Sequence, residues 1–219
     1  QKSSERSSEE QQEEESEEDI EKTDFYDMML GDRIYDSNND FDIPNLRADE
    51  QPANGLVIPL SAWGADTRQK KGISTYHFYV EDYRFVLNSG CEAVIEPNLS
   101  LFDTTPVAYG LHQIYKKRWI SRYWQECGVK VWADLNVAKK FQKWNRLGIP
   151  DGYNAFATRG YSDRQEYLKE EIQVAREISG KDIPNMIVYG GGDKIKDICV
   201  QNSIIYVEQF MANRVKKGD

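Results

Sequence analysis

Val129-Lys130-Val131-Trp132-Ala133-Asp134-Leu135 decides the fold. It is a nearly unbroken apolar run, preceded by a helical stretch that Gly128 stops and followed by a second helical stretch over Ala138 to Leu147. A short strand without alternation is covered on both faces, and one flanked by helices belongs to a parallel sheet. Outward from it, the same grammar repeats. Strands are expected at Leu56 to Leu60, Thr75 to Val80, Ala93 to Pro97, Asn154 to Thr158, Met186 to Tyr189 and Ile204 to Phe210. Helices are expected at Thr105 to Cys127, with Pro106 in the first turn, and from Ser162, whose spacing to Gln165 fits a capping box, to Gly180. A shorter helix is expected over Asp193 to Asn202.

This predicts an α/β domain with a mostly parallel sheet. It is too short for a full eight-unit barrel of about 250 residues, so it is either a reduced (β/α) barrel or an open three-layer arrangement. In both, ligands bind at the carboxyl ends of the strands, where loops vary on a rigid frame.

Charge divides the chain differently. Residues 1–24 hold 11 acidic and 3 basic side chains, whereas from Gln51 onward there are 19 acidic and 23 basic. The formal net charge of -9 therefore belongs mostly to the arm, and the remainder is mildly basic. Ile20 is the only large apolar side chain in that arm, which predicts disorder over 1–24. Residues 25–54 read as a strap or linker, with the apolar cluster Phe25, Tyr26, Met28, Met29 and Leu30 docking on the same chain, and residues 55–219 as one domain.

Cys91, Cys127 and Cys199 are odd in number and lie in apolar segments, as expected for buried reduced thiols in a reducing compartment. No apolar run reaches the length of a membrane span, no secretory pattern opens the chain, and the first residue is Gln, so residues are expected to precede it.

Polar side chains recur where strands end: Glu81 and Asp82, Glu96 and Asn98, Asp134 and Asn136, Thr158 and Arg159, then Gly190 to Asp193. Converging carboxylates suit a magnesium or manganese ion held by hard oxygen ligands, with Glu96 and Asp134 as the metal pair. They also suit division into an acid and a base. The plainer alternative is that acids and Asn cap the helices that follow. Gly190-Gly191-Gly192 permits close approach of a phosphate to backbone N–H groups, or is simply a strand-to-helix turn. Lys116, Lys117 and Arg122 flank the aromatic residues Tyr115, Trp119, Tyr123 and Trp124 on the long helix. That mix fits nucleic-acid contact, or the solvated side of a helix whose aromatic stripe faces the core. His77 and His112 are too far apart for a metal motif.

The residues His77-Phe78-Tyr79-Val80-Glu81-Asp82-Tyr83-Arg84-Phe85, Pro97-Asn98-Leu99-Ser100-Leu101-Phe102, Arg118-Trp119, Trp124-Gln125 and Gly128 resemble the uncharacterised domain family number 4417. The resemblance covers Leu56 to Arg159. It implies a bacterial, phage or mobile-element setting and no particular chemistry. The family pattern has Asp-Asp at Glu81-Asp82 and Pro-Asp-Phe-Ser at Pro97-Asn98-Leu99-Ser100. At Asn98 the oxygen is kept but the charge and titratable proton are lost.

Two functions follow. One is a phage or mobile-element protein that binds nucleic acid or a protein partner without catalysis, in the cytoplasm of a bacterial host or with the virion. The other is a metal-assisted hydrolase of a phosphate-bearing substrate, using Glu81, Asp82, Glu96, Asp134 and Arg159. A glycosidase using two of these carboxylates is a weaker third.

Overall fold

The computed structural model describes residues 39–53, 92–99 and 101–208. Five strands are found there: β1 (Ala93–Ile95), β2 (Lys130–Asp134), β3 (Phe156–Arg159), β4 (Met186–Tyr189) and β5 (Ile205–Val207). Helix α1 (Val107–Glu126) joins β1 to β2. A 3-10 turn at Lys139–Phe141 runs into the one-turn helix α2 (Gln142–Asn145) before β3, and α3 (Gln165–Ser179) and α4 (Asp193–Gln201) fill the next two crossovers. The expected strands at Leu56 to Leu60 and Thr75 to Val80 lie outside the described residues, as does the apolar cluster at 25–30.

All four strand pairings are parallel, and the strand order is the sequence order. Crossovers of one hand in a sheet whose order never reverses send successive helices to one face. Register agrees. Ala133 pairs with Phe156 and Glu96 N–H reaches the Trp132 carbonyl, so Glu96, Ala133, Phe156 and, two residues on, Thr158 share a side. Glu96 there bonds Arg118 of α1, and Thr158 bonds Glu171 of α3. The result is a curled half-barrel, the reduced-barrel arrangement and not the open three-layer one.

One hydrophobic core includes Trp132, Phe156, Ile172, Met186 and Ile195, all at most 1% exposed. Helix ends follow local chemistry. α3 stops at Gly180, in the left-handed conformation at φ 64°. Its start departs from expectation: Arg164 holds the N-cap position with no side-chain cap bond, and Gln165 Nε2 instead donates to the Ser162 carbonyl, so the Ser162 capping box does not form.

Residues 39–53 lie across α1 as a strap. Arg122 donates to the Asn45 carbonyl at 2.7 Å; Arg47 N–H donates to Gln125 Oε1 at 2.7 Å; and Gln125 Nε2 donates to the Glu50 carbonyl at 2.8 Å. Ile43 and Leu46 are buried beneath it. Sandwiched between strap and sheet, α1 has little solvated surface along its C-terminal half, and Lys117, Arg118, Ser121, Arg122 and Gln125 are all buried. The expectation of basic residues on a solvated face is reversed for Lys117 and Arg122. Cys199 is buried as expected, but Cys127, just past the end of α1, is exposed.

Gly110 of α1 lies against the Phe141 ring, which a β-carbon would overlap. Gly110→Ala therefore gains helix propensity of about 1 kcal/mol yet loses more to overpacking, a net destabilisation of about 1–2 kcal/mol in urea titration. Adding Phe141→Leu restores part of the loss; a more stable Gly110→Ala single variant would contradict this packing.

Candidate functional site

Lys117 and Arg118 are neighbours in sequence, so on α1 they point to different strands. Arg118 pairs with Glu96 just past β1 and also donates to the Asn145 carbonyl at 2.5 Å and the Leu147 carbonyl at 3.1 Å. Lys117 Nζ donates to the Asp134 carbonyl at 2.8 Å and lies 3.6 Å from Asp134 Oδ2. Glu96 Oε2 also accepts from Asp134 N–H at 2.8 Å, which closes the cluster. Each of these four side chains is at most 3% exposed. Burial pushes the Asp134 carboxyl up and the Lys117 ammonium down, each opposed by the other's charge.

This cluster fixes the carboxyl ends of β1 and β2, and beyond them a cleft of about 80 Å³ opens. On the same scale one water needs roughly 10–15 Å³, so the cleft accepts a group of roughly half a dozen heavy atoms. Asn98 and Phe102 line it from the β1 side, Asn136 from the end of β2, and Arg159, Tyr161 and Arg164 from the end of β3, with Tyr167 and Glu171 of α3.

Its rim is cationic and aromatic. The Arg159 and Arg164 guanidinium groups lie 5.2 and 5.3 Å from the Tyr161 ring centroid, and Arg164 lies 6.0 Å from that of Tyr167. Phe102 is 62% exposed, a ring open to stacking.

Glu171 is the acid of this cleft. Thr158 Oγ1 lies 2.7 Å from its Oε2, and the residue is 5% exposed. Burial pushes its carboxyl up to about 8, against the Thr158 hydrogen bond and with the Asp134 charge adding to the rise, so it is protonated at neutral pH.

Of the residues singled out from the sequence, Arg159 lines the cleft, as do Asn98 and Asn136 from the strand-end series. Glu96 and Asp134 come together, but in the ionic cluster beneath it. Glu81 and Asp82 lie outside the described residues; among the described residues no three His, Cys, Asp or Glu side chains gather to hold a metal. As a magnesium or manganese pair, Glu96 and Asp134 would first have to give up Arg118 and Lys117.

Gly190-Gly191-Gly192 ends β4 away from the cleft lining. A β-carbon on Gly191 would press on Ile195 and the Gly160 backbone, so close passage of two loops accounts for glycine there. Lys116 is half-buried, while Lys117 and Arg122 face inward.

Tyr161, Arg164, Tyr167 and Glu171 were not anticipated. Glu171 had a signal: it falls three residues after Leu168 and just before Ile172, on the apolar side of its helix.

A family model described as a domain of unknown function, DUF4417, matches residues 35–206. The Gene 1 protein of Mycobacterium phage L5 is 29% identical over 123 residues, 48% of this chain and 51% of its own length. The Gene 1 protein of Mycobacterium phage D29 is 30% identical over 120 residues, 48% of this chain and 43% of its own. The chain thus spans about half the length of these curated relatives. No solved structure matches.

Glu171 also sets a pH dependence. Its acidity is weaker folded than unfolded, so the stability it contributes is fully present below about pH 4.5 and is lost as pH rises through about 8. Glu171→Gln removes this loss. The variant's advantage over the parent in chemical denaturation should grow from pH 5 to 9 by on the order of 2–4 kcal/mol; parallel profiles would contradict the assignment.

Proposed function

The chain belongs to the DUF4417 family, and from that premise we propose that it acts by binding single-stranded nucleic acid in the cleft at the strand ends, without catalysis. The observation that carries this reading is the rim. Two exposed arginines sit over Tyr161, with Tyr167 and the open Phe102 ring beside them. Single strands are held by that combination, with cations along the backbone and aromatic rings under the bases, because every base presents a π-face.

The small cleft suits one unstacked unit and not a duplex. The mildly basic composition from Gln51 onward favours a polyanion. Similarity to the Gene 1 proteins of two Mycobacterium phages supports a phage setting for such binding; among the described residues no helix is long and apolar enough to cross a membrane.

Fluorescence anisotropy with a labelled mixed-sequence single strand of about 12 nucleotides tests the proposal. Binding should weaken steeply with salt, and Arg159→Ala and Arg164→Ala should each flatten the log–log salt slope by about 0.7. No binding at about 50 mM salt, or a slope unchanged in the double variant, would overturn it.

A further inference from the structure

The cleft and the start of the strap share one wall. Ile43 belongs to a buried cluster with Leu101 and Val137, and those two residues also line the cleft. Asn39 is tied to the same point: its Oδ1 accepts from Ile43 N–H at 3.0 Å and its Nδ2 donates to the Ile43 carbonyl at 3.0 Å. The chain that precedes Asn39 therefore departs from a fixed place beside the cleft.

That chain carries Asp24-Phe25-Tyr26-Asp27-Met28-Met29-Leu30-Gly31-Asp32-Arg33-Ile34-Tyr35-Asp36. Four aspartates are interspersed there with three aromatic rings and only one Arg. A single strand has the same character, anions spaced by flat rings, so one surface can hold either. The rim is the complement. Arg159 and Arg164 rest on the Tyr161 ring. Among the described residues no carboxylate pairs with either, and the acids at the start of α3 are engaged elsewhere, Glu166 by Lys169 at 2.7 Å and Glu170 by Lys139 at 2.6 Å. Phe41 on the strap and Phe102 on the rim stand exposed.

Reach permits the contact. Extended chain spans roughly 10 Å from Asn39 back to Asp36 and roughly 40 Å back to Asp27. So short a tether holds the segment at an effective concentration on the order of millimolar, which a second copy of the chain at micromolar concentration does not match. Resting on the reading of the cleft as a single-strand site, we propose that residues 24–36 of this chain are its internal competitor. Their aspartates pair with Arg159 and Arg164, their rings cover Phe102, and an incoming strand displaces them.

Full-length protein carrying Phe102→benzoylphenylalanine tests this; the position is exposed, so the core does not depend on it. Irradiation at micromolar concentration should cross-link it to residues 24–36 of the same chain, read by mass spectrometry. The yield should fall several-fold when Arg159→Ala and Arg164→Ala are added, and again with excess mixed-sequence single strand of about 12 nucleotides. In anisotropy titrations of the otherwise unaltered chain, the quadruple variant Asp24→Asn/Asp27→Asn/Asp32→Asn/Asp36→Asn should bind that strand about 10-fold more tightly, the gain expected if the rim is open about one-tenth of the time. The same change of charge made by Glu5→Gln/Glu9→Gln/Glu10→Gln/Glu13→Gln should tighten binding far less. Cross-links that map elsewhere or join two chains, or equal tightening by the two quadruple variants, would overturn the internal competitor while leaving the single-strand site. Cross-links to residues 24–36 in a protein that binds no single strand would uphold the docking and overturn the nucleic-acid reading on which competition rests.

Discussion

Two consecutive cations on one helix hold this fold in register. Successive residues of a helix point about 100° apart, so Lys117 and Arg118 reach different strands, Asp134 ending β2 and Glu96 following β1. Charges this deeply buried persist only when paired and hydrogen-bonded, because each loses its hydration. Here the pairs also bind the Asn145 and Leu147 carbonyls, so the short helix α2 is tied to the same point. The carboxyl ends of two strands, one long helix and one loop are thereby fixed together, and the cleft lies just above them. The strap reinforces the arrangement from outside by satisfying Gln125 and Arg122 of α1 with backbone groups.

Function then separates by depth. The charged pairs Glu96–Arg118 and Lys117–Asp134 are sequestered and balanced, and so are structural. At the rim, Arg159 and Arg164 are solvent-exposed and rest on aromatic rings, so their charge is available to an incoming anion. Between these layers lies Glu171, too buried to ionise easily and close enough to the cleft to meet a ligand. One sheet edge thus offers charge outside and an uncharged polar edge inside, which is how a nucleotide's own polarity is arranged.

Much of the frame was legible before the structure. Met186–Tyr189 has the bounds its apolar run implied, and β2 lies within the run from Val129 to Leu135, because Gly and polar residues bracket both. The rule that sites gather at carboxyl strand ends located the cleft and drew Asn98, Asn136 and Arg159 to it. Periodicity misled on α1. It assigned charge to water, but a helix covered by sheet and strap turns Lys117, Arg118 and Arg122 inward, where long-range partners including Glu96, Asp134 and the Asn45 carbonyl make that tolerable. Tyr161, Arg164 and Tyr167 carry no strand-end signal because they follow the end of β3 by two or more residues. Glu171 lies within α3, where the strand-end rule does not reach.

Hydrogen exchange of the full chain with and without excess single-stranded oligonucleotide tests the central claim most directly. Slowed exchange is expected at residues 98–102 and 136, and from 159 to 171, with α4 and the outer turns unchanged. Protection confined to another surface, with those segments exchanging as in the free protein, would contradict it.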